Sequence, residues 1–132
     1  MIGLDTNIIV RYLAQDDELQ SEQATQIIEK KLSPDNPGYI SLIVLVELVW
    51  VLTRCYDQTK NELHPIINQL LTTKQFQIEQ VDNVFKALRK WQQSNGDFSD
   101  ALIAVLAQDK GCSYTLTFDK KAVSLGMILA SH

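Results

Sequence analysis

Asp5, Glu47, Asp97, Asp100 and Asp119 are the side chains of this sequence whose type and placement can support a reaction. Carboxylate oxygens with water suit Mg²⁺ or Mn²⁺, whereas zinc prefers His or Cys. Several carboxylates drawn together cannot all ionise at neutral pH without cations, so a cluster of these acids implies bound metal. Such a centre suits phosphoryl chemistry, because one or two ions lower the pKa of an attacking water and neutralise the phosphate. No protein nucleophile is then needed.

The acids differ in what each says alone. Glu47 is the only charged side chain between Gly38 and Thr53, in a helix otherwise rich in Leu, Ile, Val and Trp. A buried carboxylate requires a partner, and no Arg or Lys lies within a helical turn of it; the alternative is a solvent-facing position or a distant cation. Asp97 and Asp100 are three residues apart at a predicted helix start and share a face of its first turn. Asp97 also reads as a simple N-cap, whereas Asp100 runs straight into the apolar run Ala101–Leu106. Asp5 and Asp119 each end a predicted strand and also read as turn residues.

The elements that must position these acids follow from apolar periodicity. Met1–Leu4 reads as a strand, followed by a helix carrying Ile8, Ile9, Tyr12 and Leu13. The acidic run Asp16–Glu18 opens a second helix to about Leu32, with Leu19, Ala24, Ile27, Ile28 and Leu32 as its apolar face. After Pro37-Gly38, Tyr39-Ile40 is a strand and Ser41 caps a core helix from Leu42 to about Cys55. Thr59 caps a helix to about Leu71 that Pro65 is expected to kink or shorten. Phe76–Ile78 is a strand, Asp82–Ser94 a helix with Val84, Phe85, Leu88 and Trp91 on one face, and Asp97–Lys110 another. Tyr114–Phe118 alternates as a strand ending at Asp119, a helical turn covers Lys120–Leu125, and Met127–Leu129 is an edge strand. Strands alternating with helices imply a parallel sheet covered on both faces, with ligands beyond the carboxyl ends of its strands, where Asp5 and Asp119 fall.

A chain of 132 residues with 45% hydrophobic and 21% charged residues is expected to form one domain over 1–132 with a real core. Cys55 and Cys112 are too far apart for a CxxC pair, and with His64 and His132 alone they make no convincing zinc site; small buried apolar residues is the preferred reading. No leader precedes Asp5 and the longest apolar stretch is too short for a membrane span, so a cytoplasmic protein without membrane association is expected. The formal charge of −4 argues mildly against tight nucleic-acid binding, an objection that weakens if the acids hold divalent cations. Arg11, Lys86, Arg89, Lys90, Lys120 and Lys121 are the candidate backbone contacts for a nucleic acid, each also readable as a solvated surface charge.

Leu4-Asp5-Thr6-Asn7, the lone Glu47, Asp97-Phe98-Ser99-Asp100-Ala101-Leu102-Ile103-Ala104 and Thr117-Phe118-Asp119 together resemble the PIN-domain ribonucleases, above all the VapC-like toxins of toxin-antitoxin pairs. The resemblance spans essentially the whole chain, with the acidic blocks in the family's order. It implies a three-layer α/β/α sandwich with a short central parallel sheet, Mg²⁺- or Mn²⁺-dependent cleavage of RNA, a homodimer, and inhibition by a cognate antitoxin protein. By resemblance, Asp5, Glu47 and Asp100 match the central acidic ligands, Asp119 a fourth acid and Asp97 an accessory one, while Thr6 or Asn7 supports Asp5 without binding metal. Two other readings stand beside this one. A PIN-like binding or dimerisation module would lack nuclease activity. A phosphatase with Asp5 as nucleophile would ordinarily place a second Asp where Asn7 stands.

Overall fold

Short apolar runs become parallel strands here, and the amphipathic segments between them become the connecting helices. The computed structural model describes residues 1–130, so Ser131 and His132 lie outside the described residues. The chain divides into two compact units, Met1–Glu79 and Gln80 onward.

In the first unit β1 (Ile2–Gly3), β2 (Gly38–Ile40) and β3 (Phe76–Ile78) form a parallel sheet in the order β1-β2-β3. Ile2 pairs with Gly38, and Gly38 with Phe76. Four α-helices supply the crossovers: α1 (Thr6–Ala14), α2 (Glu18–Gln26), α3 (Leu42–Tyr56) and α4 (Lys60–Thr72). A π-helical turn, Ile27–Lys31, extends α2. Caps fix the helix starts: the side chains of Asp17, Ser41 and Thr59 accept from the backbone N–H groups of Gln20, Val44 and Glu62. Ile9, Ile40, Leu45, Leu48, Leu63 and Ile67 are fully buried in this unit.

Several expectations change on folding. Helix α4 runs through Pro65 without shortening. Proline in the second turn forgoes a single backbone bond, and a reciprocal Thr59–Glu62 capping box with buried Leu63, Ile67, Leu70 and Leu71 on one face outweighs that loss. Leu19 is exposed, because the register that buries Ser21, Ala24 and Ile28 turns it away. Helix α3 is only half a core helix: Leu45, Leu48, Val49 and Leu52 are buried, while Ile43 is 78% and Trp50 57% exposed. Cys55, at the end of α3, and Cys112, in the turn after the following unit's second helix, are both exposed rather than buried.

In the second unit α5 (Val81–Gln92) and α6 (Phe98–Asp109) pack together, with Trp91 and Phe98 meeting edge to face at 5.4 Å. Val84, Ala87, Leu88, Ala101, Leu102 and Val105 are buried. β4 (Leu116–Thr117) pairs in parallel with β5 (Ile128–Leu129), and a 3₁₀ helix, Lys120–Leu125, crosses between them. The strand expected over Tyr114–Phe118 is thus shorter, and its apolar residues Tyr114, Leu116 and Phe118 are exposed. Asp5 follows β1 of one ladder and Asp119 follows β4 of the other. No helix among the described residues is long and apolar enough to cross a membrane.

Candidate active site

In the first unit the chain leaves β1 through buried Leu4, whose N–H donates to the Tyr39 carbonyl at 3.0 Å. Strand pairing therefore determines where the next residue emerges. Asp5 is the N-cap of α1, and its Oδ1 accepts from the Thr6 N–H at 2.8 Å while the carboxylate stays exposed. Thr6 is buried, and its hydroxyl donates to Glu47 Oε1. Asp5, Thr6 and Glu47 are thus linked in series, from a strand end through a helix start to a second helix.

Glu47 is exposed, on the same face of α3 as Ile43 and Trp50. Among the described residues it has no cation partner, and solvent together with the Thr6 hydroxyl serves the carboxylate instead. Asn7 is also exposed and lines a groove between α1 and α2 with Ile8, Arg11, Leu19 and Gln23. Sequence reasoning missed Glu79, whose carboxylate accepts from the Leu42 N–H at 2.9 Å and ties the end of β3 to the start of α3. The acid directly after a strand was the available signal.

In the second unit Asp97 occupies the N-cap position of α6 in extended conformation, yet its side chain makes no capping hydrogen bond. Capping accounts for its position but not for its carboxylate. Asp100, in the first turn of α6, is half-buried. Burial, then the neighbouring charges of Asp97 and of Asp119, hold its carboxyl above the usual range. Asp119 caps the 3₁₀ helix by accepting from the Lys121 N–H at 2.9 Å, and its own N–H donates to Thr117 Oγ1. These three acids form one electrostatic group.

The donor set is all carboxylate and fits a hard divalent cation. The uncapped Asp97 and the mutual repulsion felt at Asp100 are what a cation would relieve. Among the described residues, however, no three His, Cys, Asp or Glu side chains are gathered closely enough to hold a metal ion.

The net acidity is unevenly distributed. The first unit carries six Lys/Arg against eleven Asp/Glu, the second six against five. Of the expected phosphate contacts, Arg11 is engaged with Asp16 at 3.1 Å and Gln20 at 2.8 Å. Lys90 donates to the Leu125 carbonyl at 3.2 Å. Lys86, Arg89, Lys120 and Lys121 are exposed on the second unit.

The family model for the PIN domain matches residues 2–126 of the chain. A VapC ribonuclease of Aquifex aeolicus (strain VF5) is 23% identical over 123 residues, covering 93% of this chain and 90% of that protein.

Proposed function

The chain belongs to the PIN-domain family, and on that premise we propose that it is an Mg²⁺- or Mn²⁺-dependent endoribonuclease, the toxin of a toxin-antitoxin pair. The observation that carries this reading is the group Asp97–Asp100–Asp119, in which burial first, and then the charges of the two neighbouring acids, raise the carboxyl of Asp100 above its usual range. The family match spans both units, which supports reading residues 1–132 as one nuclease domain. The named relative supports ribonuclease activity. RNA substrate, cognate antitoxin, homodimer and cytoplasmic location belong to the same proposal.

Asp5, Glu47, Asp100 and Asp119 are the proposed ligands and catalytic acids, with Asp97 as a further ligand. A divalent cation, when bound, supplies acidification of water and neutralisation of phosphate charge. The chain's own residues do the rest. Thr6 holds Glu47 through its hydroxyl and is held to Asp5 through its N–H, so it orients two proposed ligands at once; Asn7, the other proposed support for Asp5, contributes from the groove side of α1. Exposed Lys86, Arg89, Lys120 and Lys121 meet the RNA backbone. Water attacks phosphorus and the bond to the 3′-oxygen breaks, leaving a 5′-phosphate and a 3′-hydroxyl without use of the 2′-hydroxyl.

A second reading is a PIN-like binding or dimerisation module without nuclease activity. Incubating purified protein with RNA in Mn²⁺ or EDTA, beside Asp5→Asn and Asp100→Asn, separates them. Cleavage by the unsubstituted protein in Mn²⁺ alone is expected. Equal cleavage by all three proteins, or by none, defeats the nuclease reading. A covalent aspartyl-phosphate would redirect it to a phosphatase.

A further inference from the structure

Asp97 and Asp119 enter their shared electrostatic group on two separate loops, and neither acid's own hydrogen bonds join those loops. Asp97 makes no capping bond, and the bonds of Asp119 go to Thr117 and Lys121 within its own segment. Other polar contacts join the two segments. The Lys90 ammonium, at the end of α5, donates to the Leu125 carbonyl at 3.2 Å. The Asn95 N–H donates to Ser124 Oγ at 3.0 Å, and that hydroxyl donates in turn to the Lys121 carbonyl at 2.7 Å. The side chain of buried Leu125 lies over Gly96, where a Cβ would stand 2.4 Å from Leu125 Cδ1. Any larger residue there would have to move that side chain.

From this lacing we infer that Lys90, Gly96 and Ser124 are positioning residues, which clamp the loop bearing Asp97 to the 3₁₀ helix begun by Asp119 and so set the spacing of the acids around Asp100. The inference rests on the metal-centre reading above. It gives Lys90 a role other than phosphate contact, since its ammonium is directed at the last carbonyl of the 3₁₀ helix. It also gives Gly96, just before Asp97, a packing role: a Cβ there would displace the Leu125 side chain, while the nearest backbone atom, the Lys121 carbonyl oxygen, stands at 3.5 Å.

The sign of the Lys90 effect separates a clamp from a charge. If Lys90 acts only as a nearby positive charge, its removal strengthens cation binding; if it clamps, its removal weakens binding. The experiment is titration of the full chain with Mn²⁺, reading free Mn²⁺ by its paramagnetic resonance signal, with thermal unfolding in EDTA as a check on folding. Lys90→Met and Ser124→Ala are expected to weaken Mn²⁺ binding about tenfold, the low end for groups that orient ligands from behind. Lys90→Arg and Ser124→Thr, which keep the donor or hydroxyl, are expected to restore it to within about twofold. Unchanged affinity in Lys90→Met and Ser124→Ala, or tighter binding in Lys90→Met, overturns the clamp while leaving the metal centre standing. Lack of saturable binding in the unsubstituted protein overturns both.

Discussion

The hydroxyl of Thr6 donates to the carboxylate of Glu47 across 41 residues of sequence, joining the first turn of α1 to the middle of α3. The donor is buried and the acceptor exposed, so the bond ties the carboxylate tip of a surface glutamate to the start of α1. Thr6→Val keeps the shape and removes the hydroxyl. Because Glu47 can rehydrate, the stability loss should be modest, about 1 kcal/mol. Activity on RNA should fall about tenfold, the low end for removing a group that orients a metal ligand, and Thr6→Ser should recover most of it. Full activity in Thr6→Val would show that this bond does not organise the site.

The raised carboxyl of Asp100 gives a pH signature. Burial and the charges of Asp97 and Asp119 make the folded chain bind this proton more tightly than the unfolded chain. The contribution is therefore fully favourable below the ordinary carboxyl range and is lost as pH rises through the elevated folded value. Asp100→Asn should raise the melting temperature in EDTA at pH 7 by roughly 1–3 °C, a small gain because solvent screens a partly exposed group. That gain should vanish in acid, where the native side chain is already neutral. Saturating Mn²⁺ should stabilise the unsubstituted protein and not the variant. A melting temperature lowered by the substitution at pH 7 would contradict the repulsion.

Gly38 sits where the first two strands meet, and a Cβ there would stand 2.6 Å from Leu4 Cδ1 and 2.8 Å from Leu32 Cδ1. Both neighbours are buried, so Gly38→Ala overpacks the core and should cost about 1–3 kcal/mol in urea unfolding. Leu4 directly precedes Asp5, so cleavage should fall as well. A loss under about 0.5 kcal/mol would mean that the core gives way more easily than its packing suggests.

Thr59 supplies a control remote from the proposed chemistry. It caps α4 and exchanges hydrogen bonds with Glu62. Thr59→Ala should destabilise by about 1 kcal/mol while leaving RNA cleavage at saturating Mn²⁺ unchanged. Loss of cleavage at a temperature where the variant remains folded would implicate α4 in the site.

The sequence alone carried the elements and their order, because helix caps and apolar spacing act over a few residues: Asp17, Ser41 and Thr59 start their helices where local chemistry places them. It also singled out the five acids, since their types and flanking residues are local properties. Helix faces near the surface were less legible, as Leu19, Ile43, Trp50 and Phe118 show, because an apolar side chain does not reveal which side of its element finds a partner. Glu47 stands out in the sequence as a charge in an apolar helix, yet it is exposed and held by Thr6, a contact between distant segments that no periodicity encodes. Likewise a net charge of −4 concealed a second unit with six cations against five acids. That Asp97 leaves its cap bond unmade, that Asp100 feels both Asp97 and Asp119, and that Lys90 laces Leu125 were decided by tertiary structure. Hydrogen bonding and charge coupling depend on distances through space, which the chain sets only once it has folded.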